Sequence, residues 1–342
     1  MRGSWFDAFL AFFDRWPWPR FVTFVGATIV IALPLHAAEL LDGRTELRIH
    51  GDLLVGAATL PLFAWVALVL NGVAVHALDR LRPALDPSGT PEAEIAADLI
   101  RTPNALAVPA FVLGILGGVS SVLQSPGNWS IDLAQPGARL AAAIAVSVLT
   151  DILLFGLLGH VLHQLRVVSR VHRDSVRIDV FRLEPLYAFS TLTAWTGIGL
   201  IGMVVGLIAA LSATSGTFIV SGASDLALTA TIFGVAIACF VAPLVGLHGR
   251  IADAKGASLA DAHATLATLI REVRARVVAG ELEGAGKLKD AMTAAESSVA
   301  AVQRISAWPW RPETFRGFIS AIGLPIIVWT ITQVLLRLLP KA

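Results

Sequence analysis

The sequence predicts an all-α fold: a polytopic transmembrane helix bundle of seven spans, N-terminus cytoplasmic and C-terminus outside, with a cytoplasmic helical hairpin inserted before the last span. Three observations predict it. Of 342 residues, 56% are hydrophobic and 15% charged, at a mean hydropathy of +0.73, whereas soluble chains run near 45–50% and about 25%. Apolar runs at 21–38, 53–75, 104–124, 140–165, 187–211, 225–247 and 316–337 match the ~20 residues a helix needs to cross a bilayer. With those spans, only Arg44, Arg48, Arg139, Arg337 and Lys341 of the 26 basic residues fall on one side. The other side is cytoplasmic by the positive-inside rule.

The leader, residues 1–20, spaces Trp5, Phe6, Phe9, Leu10, Phe13 and Trp16 along one helical stripe, the pattern of an interfacial amphipathic helix. The first span ends in "LPLHAA", which has the small residues of a signal-peptidase site, but the long aromatic leader ahead of it favours a retained helix. "WPWPRF" at 16–21 returns as "WPWRPETFRGF" at 308–318, each copy ahead of an apolar run. Trp rings settle at head-group level, and Pro fits the first turn of a helix but cannot extend a preceding one. Trp16, Trp18, Trp308 and Trp310 are therefore expected at the cytoplasmic lipid interface, with Arg166, Arg170, Arg173 and Arg177, which follow span four and attract anionic head groups.

Within the membrane region, 21–247, small residues mark helix-packing faces: Gly114 and Gly118 in span three, and Gly199, Gly202 and Gly206 in span five. The GxGxxG in "TGIGLIG" lies inside a span with no strand before it, which excludes a dinucleotide loop. Self-association through the glycine faces is expected. Asp151 is the one acid deep in a span, about eleven residues or ~16 Å from its outer end. An ionisable group there costs roughly 2.5–3.5 kcal/mol on insertion scales and commonly lines an ion or proton path. Ser147, one turn back, and Thr196, on the next span, are its nearest candidate partners.

His76, His160, His163 and His248 fall at the cytoplasmic ends of the even-numbered spans. Two facing rings would suit a metal or haem, while a helix C-terminus favours His without any ligand. No cofactor is expected. A retinal Schiff base would need a lysine in the last span, and 316–337 contains none; HExxH, GxSxG and Walker motifs are also missing, so no catalytic residues are assigned. "HAAE" at 36–39 lacks a third zinc ligand, and "NWS" at 128–130 has the form of a glycosylation site on an outside loop. The single Cys239 cannot form an internal disulfide, and a net charge of +1 argues against nucleic acid.

Residues 248–307 form the sizeable polar region. Leu259, Ala262, Leu266, Leu269 and Val273 repeat at threes and fours, as do Leu288, Met292, Ala295, Val299 and Val302, with "GELEGAG" between. That pattern predicts an antiparallel hairpin with a heptad-type seam, available to a cytoplasmic protein partner. Residues 308–342 supply the second Trp-Pro corner and the last span. Three functions fit: a channel or transporter in a bacterial inner (plasma) membrane with Asp151 on the path, a non-transporting sensor or scaffold that works through the hairpin, or a haem-binding redox subunit.

Overall fold

The computed structural model describes residues 3–41, 51–124, 137–215, 223–280 and 284–338. It is all-helical, and among the described residues β pairing is limited to one isolated antiparallel bridge, Leu85 with Val176. The helices are α1 (Trp5–Asp14), α2 (Arg20–Leu41), α3 (Gly51–Leu81), α4 (Glu92–Ile100), α5 (Asn104–Gln124), α6 (Ala138–Asp174), α7 (Ala188–Ser215), α8 (Ala223–Ala279), α9 (Ala285–Arg304) and α10 (Pro312–Leu338).

Six segments among the described residues are long and apolar enough to cross a membrane: Arg20–Ala38, Leu54–Ala84, Glu92–Gln124, Leu140–Asp174, Glu184–Ala210 and Phe233–Ala279. They overlie the first six expected spans. The seventh run falls on α10, a continuous helix of 27 residues. Surface chemistry agrees with a lipid solvent. Val30 and Leu33 on α2 and Leu116 on α5 are each more than 60% exposed, while Asn71, His160 and Gln164 point inward. A soluble protein rarely exposes apolar bands of this extent.

The core is assembled around α3, α6 and α7, where Phe63, Leu70, Leu78, Leu157, Val168, Phe189 and Leu192 are buried together. The tightest pair is α5 on α6. A Cβ at Gly114 would run into the backbone of Ile152, and one at Gly118 into the backbone of Val148. Small residues let helices in lipid approach this closely.

Two features differ from the sequence expectation. Helix α8 runs unbroken for 57 residues, about 85 Å at 1.5 Å per residue. The first arm of the expected hairpin is thus the continuation of span six, and residues 247–248 carry no break. Helix α9 packs along it: the Lys255 ammonium donates to the carbonyls of Gln303 and Ile305, both at 2.8 Å. Val299 and Val302 of the seam are buried, and the others are half-buried. Gly280 and Gly284, at φ of +74° and +86°, take the left-handed conformation that ends one helix and starts the next.

The second difference concerns α1. Ser4 and Asp7 form a reciprocal capping box at its start. Phe6 and Leu10 of the expected interfacial stripe are buried on protein, with Phe6 seated over Gly156. The Trp5 indole N–H donates to Ala107 O at 2.7 Å, which fixes α1 against α5. Phe12 and Trp16 face outward.

Candidate functional site

Asp151 lies within α6 at the edge of the glycine seam. Gly117 of α5 stands opposite, so close that a Cβ there would sit 2.8 Å from Asp151 Oδ2. The carboxyl is half-buried and has no hydrogen bond or ion pair with any described residue. Ser147 is buried one turn back. Thr196 is buried on α7, and its hydroxyl donates to Leu192 O of its own helix at 2.9 Å. Neither hydroxyl is therefore bonded to the carboxyl. In the sequence Gly117 is the second glycine of "GILGG", between the two that mark the packing face.

In a second polar centre Thr102, His160 and Gln164 are buried and Asn71 is half-buried. His160 accepts from the Thr102 hydroxyl at Nδ1, 2.9 Å away, and donates from Nε2 to Asn71 Oδ1 at 2.8 Å, a tautomer set by the hydrogen-bond network. Gln164 Nε2 donates to Leu99 O at 3.1 Å and lies 3.4 Å from Asn71 Oδ1. Asp7 Oδ1 accepts from the Thr102 backbone N–H at 2.9 Å. The network ties α1, α3, α6 and the α4–α5 junction together and pairs most of its polar groups away from water, while Gln164 Oε1 is buried without a partner among the described residues.

The four singled-out histidines do not sit at helix C-termini, because α3, α6 and α8 all continue past them. His160 uses both ring nitrogens within the protein. His163 Nε2 bonds Asp98 O at 3.1 Å, and His248 Nδ1 bonds Ala307 O at 3.1 Å. His76 is exposed at the mouth of a cleft. Among the described residues, no three His, Cys, Asp or Glu side chains gather as a metal site. The histidine in a last helical turn is His172. It is buried edge-on to Phe189 at 5.3 Å, and Arg250 donates to its carbonyl and, at 2.9 Å, to that of Val176.

The two Trp-Pro-Trp copies behave differently. Trp16 and Trp18 are exposed. Trp308 stacks on His248 at 4.0 Å and on Trp310 at 4.4 Å, and Trp310 stacks on Phe240 and Phe315. The second copy is a column of rings that joins α8 to the start of α10. Replacing Trp308 and Trp310 together by Ala should lower the melting temperature in detergent, since aromatic pairs contribute about 0.5–1.5 kcal/mol each beyond burial. An unchanged melting curve would count against that role.

Arg166, Arg170, Arg173 and Arg177 are all exposed. Arg170 is paired with Asp98, and Arg177 with Asp86 at 2.9 Å. The latter contact, with help from Ser88, holds the Asp86 carboxyl well below the usual carboxylate range. It reinforces the bridge in which Asp86 N–H donates to Ser175 O and Arg177 N–H to Ala84 O, both at 2.9 Å. On α7, Gly202 and Gly206 meet nothing within 4 Å, and Gly199 makes only an ordinary contact with Val66. The close approach falls instead on Gly197, where a Cβ would meet the Phe318 ring at 2.6 Å and Ala236 O at 2.9 Å.

No family model, curated protein or solved structure matches this chain. The functional reading rests on the residues alone.

Proposed function

We propose that this integral membrane protein is a homo-oligomeric channel or transporter of the bacterial inner membrane, with Asp151 as its ion or proton site. The supporting observation is a half-buried carboxyl inside a span, pressed against Gly117 and without a partner among the described residues. A structural acid in lipid recruits hydrogen bonds, whereas a path residue must keep a face open to water, a cation or a neighbouring subunit. Gly202 and Gly206, open on α7, offer a surface for self-association. Carbodiimide, which adds to protonated carboxyls in apolar surroundings, should modify Asp151 and stop flux in reconstituted vesicles. Full modification at Asp151 with flux unchanged would put the path elsewhere.

The proposed arrangement has seven spans, with the N-terminus and the α8–α9 hairpin cytoplasmic and the C-terminus outside. Trp16, Trp18 and the exposed arginines then lie at the inner head-group layer. In a Cys239→Ala background, cysteines at Ser88 and Ser258 should react with an impermeant thiol reagent only in inverted vesicles, and one at Ser125 only in intact cells. Labelling of position 258 in intact cells would overturn this topology.

One observation favours a second reading, a sensor or scaffold that docks a cytoplasmic protein. The far end of α8 exposes Ile270, Val277 and Val278, the last at 82%. If purified protein carries no proton, Na⁺, K⁺ or Cl⁻ flux, this reading replaces the first.

A further inference from the structure

We propose that a cationic cleft between α3 and α7 binds the head group of an anionic phospholipid, with Arg80 and Arg182 as its principal phosphate ligands. Two open cavities of about 380 and 500 Å³ meet there and share Arg80, Ala188 and Thr191 as lining residues. The first adds Arg20 and His76, and the second adds Arg182 and Arg311. Carboxylates are few. Arg20 faces Asp14 at 3.5 Å, and Arg311 is 3.9 Å from Glu184, whose side chain is 85% exposed. Arg80 and Arg182 have no carboxylate partner among the described residues. Arg20 and Arg80 line the first cavity and Arg80, Arg182 and Arg311 the second, a cationic lining that attracts an anion, and arginine matches phosphate with two parallel N–H donors.

The walls below the cations decide what kind of anion. Val69, Val73 and Trp195 line the same cavity as Arg80, and Val69 lies about 16 Å from Arg80 along α3 at 1.5 Å per residue. A soluble phosphate has no use for that apolar floor, whereas an acyl chain does. Arg20 opens α2, Arg80 lies in the last turn of α3, Ala188 opens α7 and Arg311 immediately precedes α10, so four helix ends meet in the lining of the two cavities. Such ends lie among head groups if these helices span the membrane. The inference rests on that placement and not on conduction through Asp151.

The test uses full-length protein in a neutral detergent, titrated with phosphatidylglycerol, phosphatidylcholine or inorganic phosphate, with bound lipid read by native mass spectrometry and stability by melting. Phosphatidylglycerol should bind and raise the melting temperature, while phosphatidylcholine and inorganic phosphate at equal concentration should not. Arg80→Gln with Arg182→Gln should weaken phosphatidylglycerol binding at least tenfold and leave the lipid-free melting temperature unchanged. Arg271→Gln with Arg274→Gln, exposed on the polar end of α8 and away from the cleft, should leave it as in wild type. Equal retention of phosphatidylcholine, equal binding of inorganic phosphate, or undiminished phosphatidylglycerol binding by the cleft variant would each overturn the proposal. A flux assay reads none of these, so a failure of the conduction reading stays separate.

Discussion

Gly118→Val should lower the melting temperature in detergent sharply and loosen α5 from α6. Even the first added carbon meets the backbone of Val148, which cannot rotate aside as a side-chain tip can. Overpacking a filled core costs typically about 1–3 kcal/mol, and a backbone obstruction belongs at the upper end. Gly114→Val meets the backbone of Ile152 in the same way. Gly202→Val is the contrast, because nothing lies within 4 Å of that position. It should leave the fold intact and, if that face joins subunits, shift the oligomer distribution in detergent. Equal melting temperatures for Gly118→Val and Gly202→Val would show that the α5–α6 seam is looser than described.

His160→Leu should be comparably damaging by a different route. Leucine fills much of the space but strands the Thr102 hydroxyl and leaves the Asn71 side-chain oxygen with only the 3.4 Å contact from Gln164 Nε2. Unsatisfied buried polar groups cost about 1–3 kcal/mol, although single interhelical hydrogen bonds in membranes average nearer ~0.6 kcal/mol. A total of about 2–3 kcal/mol is expected, together with increased protease access to α1, since Thr102 also holds Asp7 through its backbone N–H. His160→Gln, which retains a donor and an acceptor, should recover part of the loss. If leucine and glutamine variants melt alike, the network contributes packing only.

Hydropathy made most of the helices legible, because a bilayer demands long apolar runs whatever their neighbours do. The bound of the sixth apolar run at 247 does not coincide with a helix end. The composition changes near His248 because the solvent changes, while the backbone of α8 continues through Gly246 and Gly249 into Arg250 and Ile251. For the same reason His76, His160, His163 and His248, near the ends of apolar runs, lie inside helices that continue past them. Seam residues of the α8–α9 pair were readable because their spacing of three and four reports a buried face directly. Which glycine of "TGIGLIG" makes the close contact was not readable, since the phase of a helix uniformly apolar around its circumference is set by its neighbours, here Phe318 and Ala236. Asn71 and Gln164 were visible as uncharged polar residues within apolar runs, but Asn71 meets His160 and Gln164 across 89 and 93 positions, which needs the tertiary structure.

The most direct measurement is the decay of an imposed pH or cation gradient in vesicles reconstituted with wild-type protein or with Asp151→Asn at equal density. Asparagine keeps the shape and hydrogen-bonding capacity of the side chain and cannot ionise. Rapid decay is expected with wild type and a rate near that of empty vesicles with the variant, at unchanged melting temperature. Equal decay rates for the two proteins, or wild-type vesicles as tight as empty ones to protons, Na⁺, K⁺ and Cl⁻, would contradict it.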